Sequence, residues 1–167
     1  NAASCADTMP PLIALGATVT VQSSGGLREI QAAEFMLAPY RTALRPDEVV
    51  TAVAFRPLQE RERGSFLKLG RRHALSVARM SVAVVVERGS DGAVRHARIA
   101  AGAVVPVVRR FPEAEACLDG SKGEEEALEA AARALAAAMV AETGRRWSTP
   151  YKEPVVQALV RRAIRAA

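Results

Sequence analysis

The chain has 167 residues, half of them apolar and a quarter charged, which is enough for one domain with a sizeable core and excludes a disordered segment. Its formal charge is +5, unevenly placed: 4 Lys/Arg face 6 Asp/Glu up to residue 60, and 19 face 12 from residue 61 onward. No apolar run reaches the ~20 residues needed to cross a bilayer, and two cysteines with two histidines, none at ligand spacing, argue against a zinc or iron–sulfur site built by this chain alone.

These features predict a soluble, cytoplasmic protein with Cys5 and Cys117 reduced. Asn1 opens straight into Ala2-Ala3-Ser4-Cys5 with no basic-then-apolar leader, which reads as a truncated start.

Taken in order, Met9–Gly16 reads as a short helix. Asp7 or Thr8 can cap it, Pro10 and Pro11 suit its first turn, and Gly16 suits a left-handed stop. Val19 and Val21 alternate with polar residues, and Ser23-Ser24-Gly25-Gly26 turns the chain into Leu27–Ile30, a hairpin pattern. Ala33–Leu37 allows one helical turn, and Val49–Phe55 is a β-branched strand ending at Pro57. The charged stretch Leu58–Gly64 marks a subdomain boundary.

Beyond it, Phe66–Leu69, Met80–Val86 and Val94–Ala101 read as strands, the last two joined by the turn residues Gly89-Ser90-Asp91-Gly92. A Val-rich, Pro-punctuated connection leads to a short helix ending at Leu118. Ser121 with Glu124 fits a capping box ahead of a helix through Leu128, Leu135 and Met139. Pro154 is the expected start of a last helix that buries Val155, Val156, Leu159, Val160 and Ile164. Strands then helices, in two passes, predict an α+β fold and not a doubly wound parallel sheet.

No Ser/His/Asp order, HExxH, Walker loop or GxGxxG occurs, so any chemistry belongs to a cofactor or a partner. The basic run Lys68-Leu69-Gly70-Arg71-Arg72-His73 is the most suggestive local feature. Joined by Arg109-Arg110, Arg145-Arg146 and Arg161-Arg162 on one face, it would suit nucleic acid; seven aromatic residues in the whole chain disfavour base stacking. A noncatalytic domain docking a partner through its basic helices is the other alternative.

An ordered set of segments spans nearly the whole chain: Ala3-Ser4-Cys5-Ala6-Asp7, Pro11–Ala17, Arg28-Glu29-Ile30 with Phe35, Glu48-Val49-Val50, Phe66–Arg72, Val77-Ala78, Leu118-Asp119-Gly120 and Ser148-Thr149-Pro150-Tyr151-Lys152. This set resembles the medium, FAD-binding subunit of the molybdenum hydroxylases, the group of xanthine dehydrogenase and carbon monoxide dehydrogenase. The resemblance implies a second FAD-binding subdomain over residues 1–57, a small mixed sheet with helices. It also implies a flavoprotein C-terminal domain over 62–167, with a three-stranded antiparallel sheet and a helical bundle.

It further implies FAD held with a first subdomain absent from this chain, so that the 167 residues alone hold FAD weakly. Electrons would pass from a large molybdopterin subunit through 2Fe-2S clusters on a small subunit to FAD, and on to NAD or another acceptor. Three positions match cofactor-contacting residues of the family: Asp7, Val50 and Lys68. The expectation is that they converge on one wall. Ser4 stands where proline is usual and Ala3 where Ser or Asp is usual, which implies the loss of a side-chain hydrogen bond near the cofactor; His73-Ala74-Leu75, in place of a more charged loop, puts NAD as the acceptor in question.

Overall fold

The structure is a computed structural model that describes residues 2–72 and 75–167. His73 and Ala74 lie outside the described residues, and with them the end of the basic run.

The first helix, α1 (Met9–Ala14), carries prolines in its first turn, where a missing N–H costs nothing. Neither candidate caps it as expected: Thr8 makes no side-chain bond to the helix, and Asp7 is engaged elsewhere. Its C-terminal end closes as predicted. Gly16 sits at φ +65°, the Gly16 N–H donates to Ile13 O, and the Ala17 N–H donates to Leu12 O.

Strands β1 (Thr18–Ser23) and β2 (Gly26–Gln31) form the predicted hairpin around Ser24-Gly25. One turn, α2 (Ala32–Phe35), and a short pair, β3 (Met36–Ala38) with β4 (Arg41–Thr42), bring the chain back to β5 (Val49–Ala54). This last strand pairs with β1, giving the order β2-β1-β5. The small sheet expected to be mixed is therefore antiparallel in both pairings. A return through one turn and a two-stranded loop brings β5 alongside β1 in the opposite direction, and no parallel crossover is made.

The second sheet runs β6 (Glu62–Leu69), β7 (Met80–Arg88), β8 (Val94–Gly102) and β9 (Arg109–Arg110), all antiparallel. The two-residue β9 extends the expected three strands to four. It sits inside the Val-rich connection, where Pro106 and two arginines masked the pattern. Helices α3 (Pro112–Glu115), α4 (Glu125–Thr143) and α5 (Thr149–Ala166) cover one face of this sheet.

Two helix starts differ from expectation. The Ser121 hydroxyl donates to Leu118 O, the Ser121 carbonyl accepts from Val94 N–H, and Glu124 accepts from Lys122 N–H, so no capping box forms. The segment is drawn toward β8 by the bonds that Val94 N–H makes to Ser121 O and Gly120 N–H makes to Val94 O. Helix α5 starts at Thr149, not Pro154: Thr149 Oγ1 accepts the Arg146 N–H at 2.8 Å and Pro150 occupies the first turn. Pro154 lies inside the helix, one turn beyond the start.

Strand β7 is buried along nearly its whole length. Met80, Val82, Val84 and Val86 point to the helices, whereas Ala83 and Val85 point to α1, β1 and Phe35 on the other side. Period-two alternation thus feeds two hydrophobic clusters from one strand. The stretch expected to be a simple boundary is tied down. Glu62, 3 % exposed, accepts hydrogen bonds from Arg56 at 2.7 Å, Arg98 at 2.8 Å and the Gln59 N–H at 2.8 Å.

Burial works to raise the pKa of Glu62, but the Gln59 N–H and the two guanidinium groups outweigh it and hold it at about 2. A folded value below the unfolded one means stabilisation that is complete above pH ~4.5 and lost as pH falls toward 2. Urea unfolding followed between pH 7 and pH 2 should show this loss. In Glu62→Gln the protein should be less stable at pH 7, with a shallower acid slope.

Candidate functional site

The segment before α1 is pinned against the end of β8. The Ala103 N–H donates to Ser4 O at 2.5 Å, and the Ala6 N–H donates to Ala3 O at 3.0 Å. Gly102 makes this approach possible: a Cβ there would lie 2.7 Å from Ser81 Oγ, 2.9 Å from Pro10 Cγ and 3.2 Å from Ser4 O. Along β6, Leu67 and Leu69 turn toward the helices, so Phe66 and Lys68 emerge on the α1 side. Lys68 therefore meets the pinned segment, and its Nζ donates to Asp7 Oδ2 at 2.5 Å.

The pair is open to solvent in part, with Asp7 47 % and Lys68 27 % exposed. It sits in a cleft of about 690 Å³ whose walls include Ala3, Cys5, Ala6, Ser76 and Val77. Of three positions expected to converge, two do. Val50 lies on β5, opposite Val21 of β1, 42 % exposed and away from the residues that line this cleft. Its position follows from pairing with β1, a register that no feature of Val49–Phe55 specifies by itself.

A larger cleft of about 1010 Å³ adjoins the first and shares Ser76 and Val77 with it. Arg71, Arg72, Arg79, Arg146 and Lys152 line it. Lys152 is partly buried, and its Nζ donates to Ala103 O at 3.0 Å. Burial, and then the positive charges of Arg146 and Arg79, push its pKa below the usual lysine value. Sequence reading noticed Arg71-Arg72 and Arg145-Arg146 as basic pairs but passed over Arg79, an isolated arginine with no local signal.

The remaining basic pairs do not join that face. Arg109 is held by Glu113 and Glu142, Arg110 by Glu115, Arg145 by Glu153, and Arg161 by Glu125 and Glu129. The single basic face that a nucleic-acid surface requires is divided and largely neutralised.

Comparison with known proteins agrees with this architecture. Residues 1–57 match the FAD binding domain in molybdopterin dehydrogenase, and residues 65–167 match the CO dehydrogenase flavoprotein C-terminal domain. The chain belongs to the flavoprotein-subunit family of the molybdenum hydroxylases.

Among relatives in this family, the nicotine 6-hydroxylase medium subunit of Paenarthrobacter nicotinovorans is 35 % identical over 153 residues, covering 92 % of this chain and 53 % of that one. The carbon monoxide dehydrogenase medium chain of Hydrogenophaga pseudoflava is 30 % identical over 155 residues, covering 93 % of this chain and 53 % of its own. The flavoprotein fold is shared in three dimensions. A structure of carbon monoxide dehydrogenase from Hydrogenophaga pseudoflava lacking the Mo-pyranopterin moiety superposes with a TM-score of 0.89 at 31 % identity, over 99 % of this chain and 57 % of that one. Quinoline 2-oxidoreductase from Pseudomonas putida 86 gives 0.84 at 26 % identity, with the same coverages. The chain spans about half the length of the curated relatives it matches.

Gly102→Ala tests how the site is positioned. The added methyl must displace buried Ser81 or the Ser4–Pro10 segment, at an expected cost of about 1–3 kcal/mol. Urea unfolding measures that loss; an unchanged midpoint would show that the segment yields freely.

Proposed function

We propose that this chain is the second half of the FAD-binding medium subunit of a molybdenum hydroxylase. Residues 1–57 close the FAD site, and residues 62–167 form the flavoprotein C-terminal domain. Electrons reach the flavin from 2Fe-2S clusters on a small subunit, fed by a large molybdopterin subunit, and leave to NAD or another acceptor. The site works in the cytoplasm, a setting that agrees with two free cysteines, Cys5 and Cys117. Xanthine dehydrogenase-like chemistry is one member of this class. The similar enzymes named above act on other substrates.

The observation that carries this reading is the Asp7–Lys68 pair lining an open cleft. The residues present fit part of a flavin nucleotide. Ala3, Ala6 and Val77 offer an apolar wall, with an ionised pair beside them. A carboxylate has about four lone-pair sites and an ammonium three donors, so pairing with each other leaves both with capacity to spare. Asp7 can accept from ribityl or ribose hydroxyls, and Lys68 can place positive charge at the polar edge of the ring. Val50 contributes through the exposed edge of β5, apart from this cleft. When bound, FAD supplies the one- and two-electron chemistry; the chain binds it, orients it and sets the charge around it.

Lys68→Met in the intact subunit isolates the charge. Removing a cation beside the ring disfavours the anionic reduced form, so the flavin potential should fall, or flavin content should drop. Stability should hold within about 1 kcal/mol, because an exposed pair contributes little. Unchanged content and potential would remove Lys68 from the site.

The 167 residues alone should take up FAD weakly in a fluorescence titration. Tight one-to-one uptake would mean that the site is complete within this chain.

A further inference from the structure

Helix α5 turns one stripe inward, and a lysine stands in it. Thr149, Val156, Val160 and Ala163 are buried, and Lys152 shares their stripe, three residues after Thr149 and four before Val156. Its side chain is partly buried, and among the described residues no carboxylate pairs with it. Burial, and then the like charges of Arg146 and Arg79, work against its own charge. The place is unfavourable for an ammonium. Among the described residues the one hydrogen bond that Lys152 Nζ makes runs to Ala103 O, at 3.0 Å.

Ala103 is where three segments meet. It follows β8 at φ +58°, a left-handed conformation uncommon for alanine, and it is held from both sides. Lys152 takes up its carbonyl, and its N–H donates to Ser4 O at 2.5 Å. Val104 and Val105, both buried, anchor the chain that follows among the residues under the helices. Ser4 lies three residues before Asp7, in a turn closed by the Ala6 N–H on Ala3 O at 3.0 Å, and Asp7 then meets Lys68. A path thus runs from Lys152 through Ala103 and Ser4 to the pair, yet none of those three residues lines the cleft that the pair lines.

We propose that Lys152 is a positioning residue for the Asp7–Lys68 pair, acting through the two peptide groups of Ala103 and through Ser4. Its consequence for the cofactor rests on the flavin reading of that pair. Fixing the Ala103 carbonyl holds this residue in its left-handed conformation and so keeps its N–H on Ser4 O. Without that bond alanine is drawn toward its preferred backbone conformations, Ser4 O loses its donor, and the segment that carries Asp7 is tethered less closely to β8. A lysine suits the task. Its four-carbon stem runs along apolar surface and delivers three donors at the tip.

Amide hydrogen exchange of this chain, followed by NMR, reads the link with no cofactor present. In Lys152→Met the Ala103 and Ala6 amides should exchange about tenfold faster, the size of one lost charge-assisted hydrogen bond. Lys152→Arg, which keeps a charged donor, should restore most of the protection. Arg79 lines the same cleft without a hydrogen bond to Ala103, so Arg79→Gln should leave Ala103 exchange as it is in the parent chain. In the intact subunit Lys152→Met should weaken FAD binding about tenfold. That loss should largely vanish in a Lys68→Met background, because the lysine acts through the pair.

Unchanged Ala103 exchange in Lys152→Met overturns the proposal. So does an equal loss of FAD binding with and without Lys68, which would mean that Lys152 acts by another route. Faster exchange with FAD affinity intact overturns it too, and reduces Lys152 to a local clamp. Failure of the flavin reading looks different. Lys68→Met then leaves flavin content and potential unchanged while Lys152→Met still speeds Ala103 exchange, a result that supports the link from Lys152 to Ser4 and overturns its role toward the cofactor.

Discussion

Strand β7 is buried on both of its faces, and the rest of the architecture depends on that. A strand that must hide Val82, Val84 and Val86 on one side and Ala83 and Val85 on the other needs two separate covers. The helices supply one. The other comes from the N-terminal part of the chain, through Ile13, Val21 and Phe35. The parts that match the FAD-binding and the C-terminal domain thus share a wall, with apolar area removed from water on both sides of it. Ala83 and Ala100 lie on the side that α1 covers, and Val82, Val84 and Val86 lie on the side that the helices cover.

That shared wall determines where chemistry can occur. Because α1 packs flat on the back of the sheet, the residues before it must cross the end of β8 and run past β6. Gly102 leaves room for the crossing, and Lys68 stands where it ends. Glu62 acts at the opposite end of β6, drawing Arg56 from the connection and Arg98 from β8 onto one carboxylate. A buried carboxylate with this many donors loses much if any one is removed. It holds in place a stretch whose composition marks a subdomain boundary.

Charge is handled differently in different regions. On the helical surface arginines are matched by glutamates at helical spacing or across α4 and α5, as with Arg133 and Glu129 or Arg161 and Glu125. Among the described residues, Arg71, Arg72, Arg79, Arg146 and Lys152, which line the larger cleft, have no such match. Part of the excess positive charge of the second part is therefore gathered in one concavity. This distribution weakens the nucleic-acid alternative more than the scarcity of aromatics did.

Local order was legible in the residues themselves. Alternation at Val19 and Val21, the Gly16 stop, the β-branched run from Val49 and the spacing of Leu128, Leu135 and Met139 each reflect interactions within a few residues, which a linear pattern can carry. The family resemblance is carried the same way, by short motifs around Asp7 and Lys68. Tertiary structure alone decided the remainder. The contact of Asp7 with Lys68, the distance of Val50 from both, the recruitment of Arg79 and Lys152 to a common cleft, and the start of α5 at Thr149 all depend on register and packing between distant segments. Those are settled by which surfaces can be buried together, a property of the whole chain that no single stretch contains.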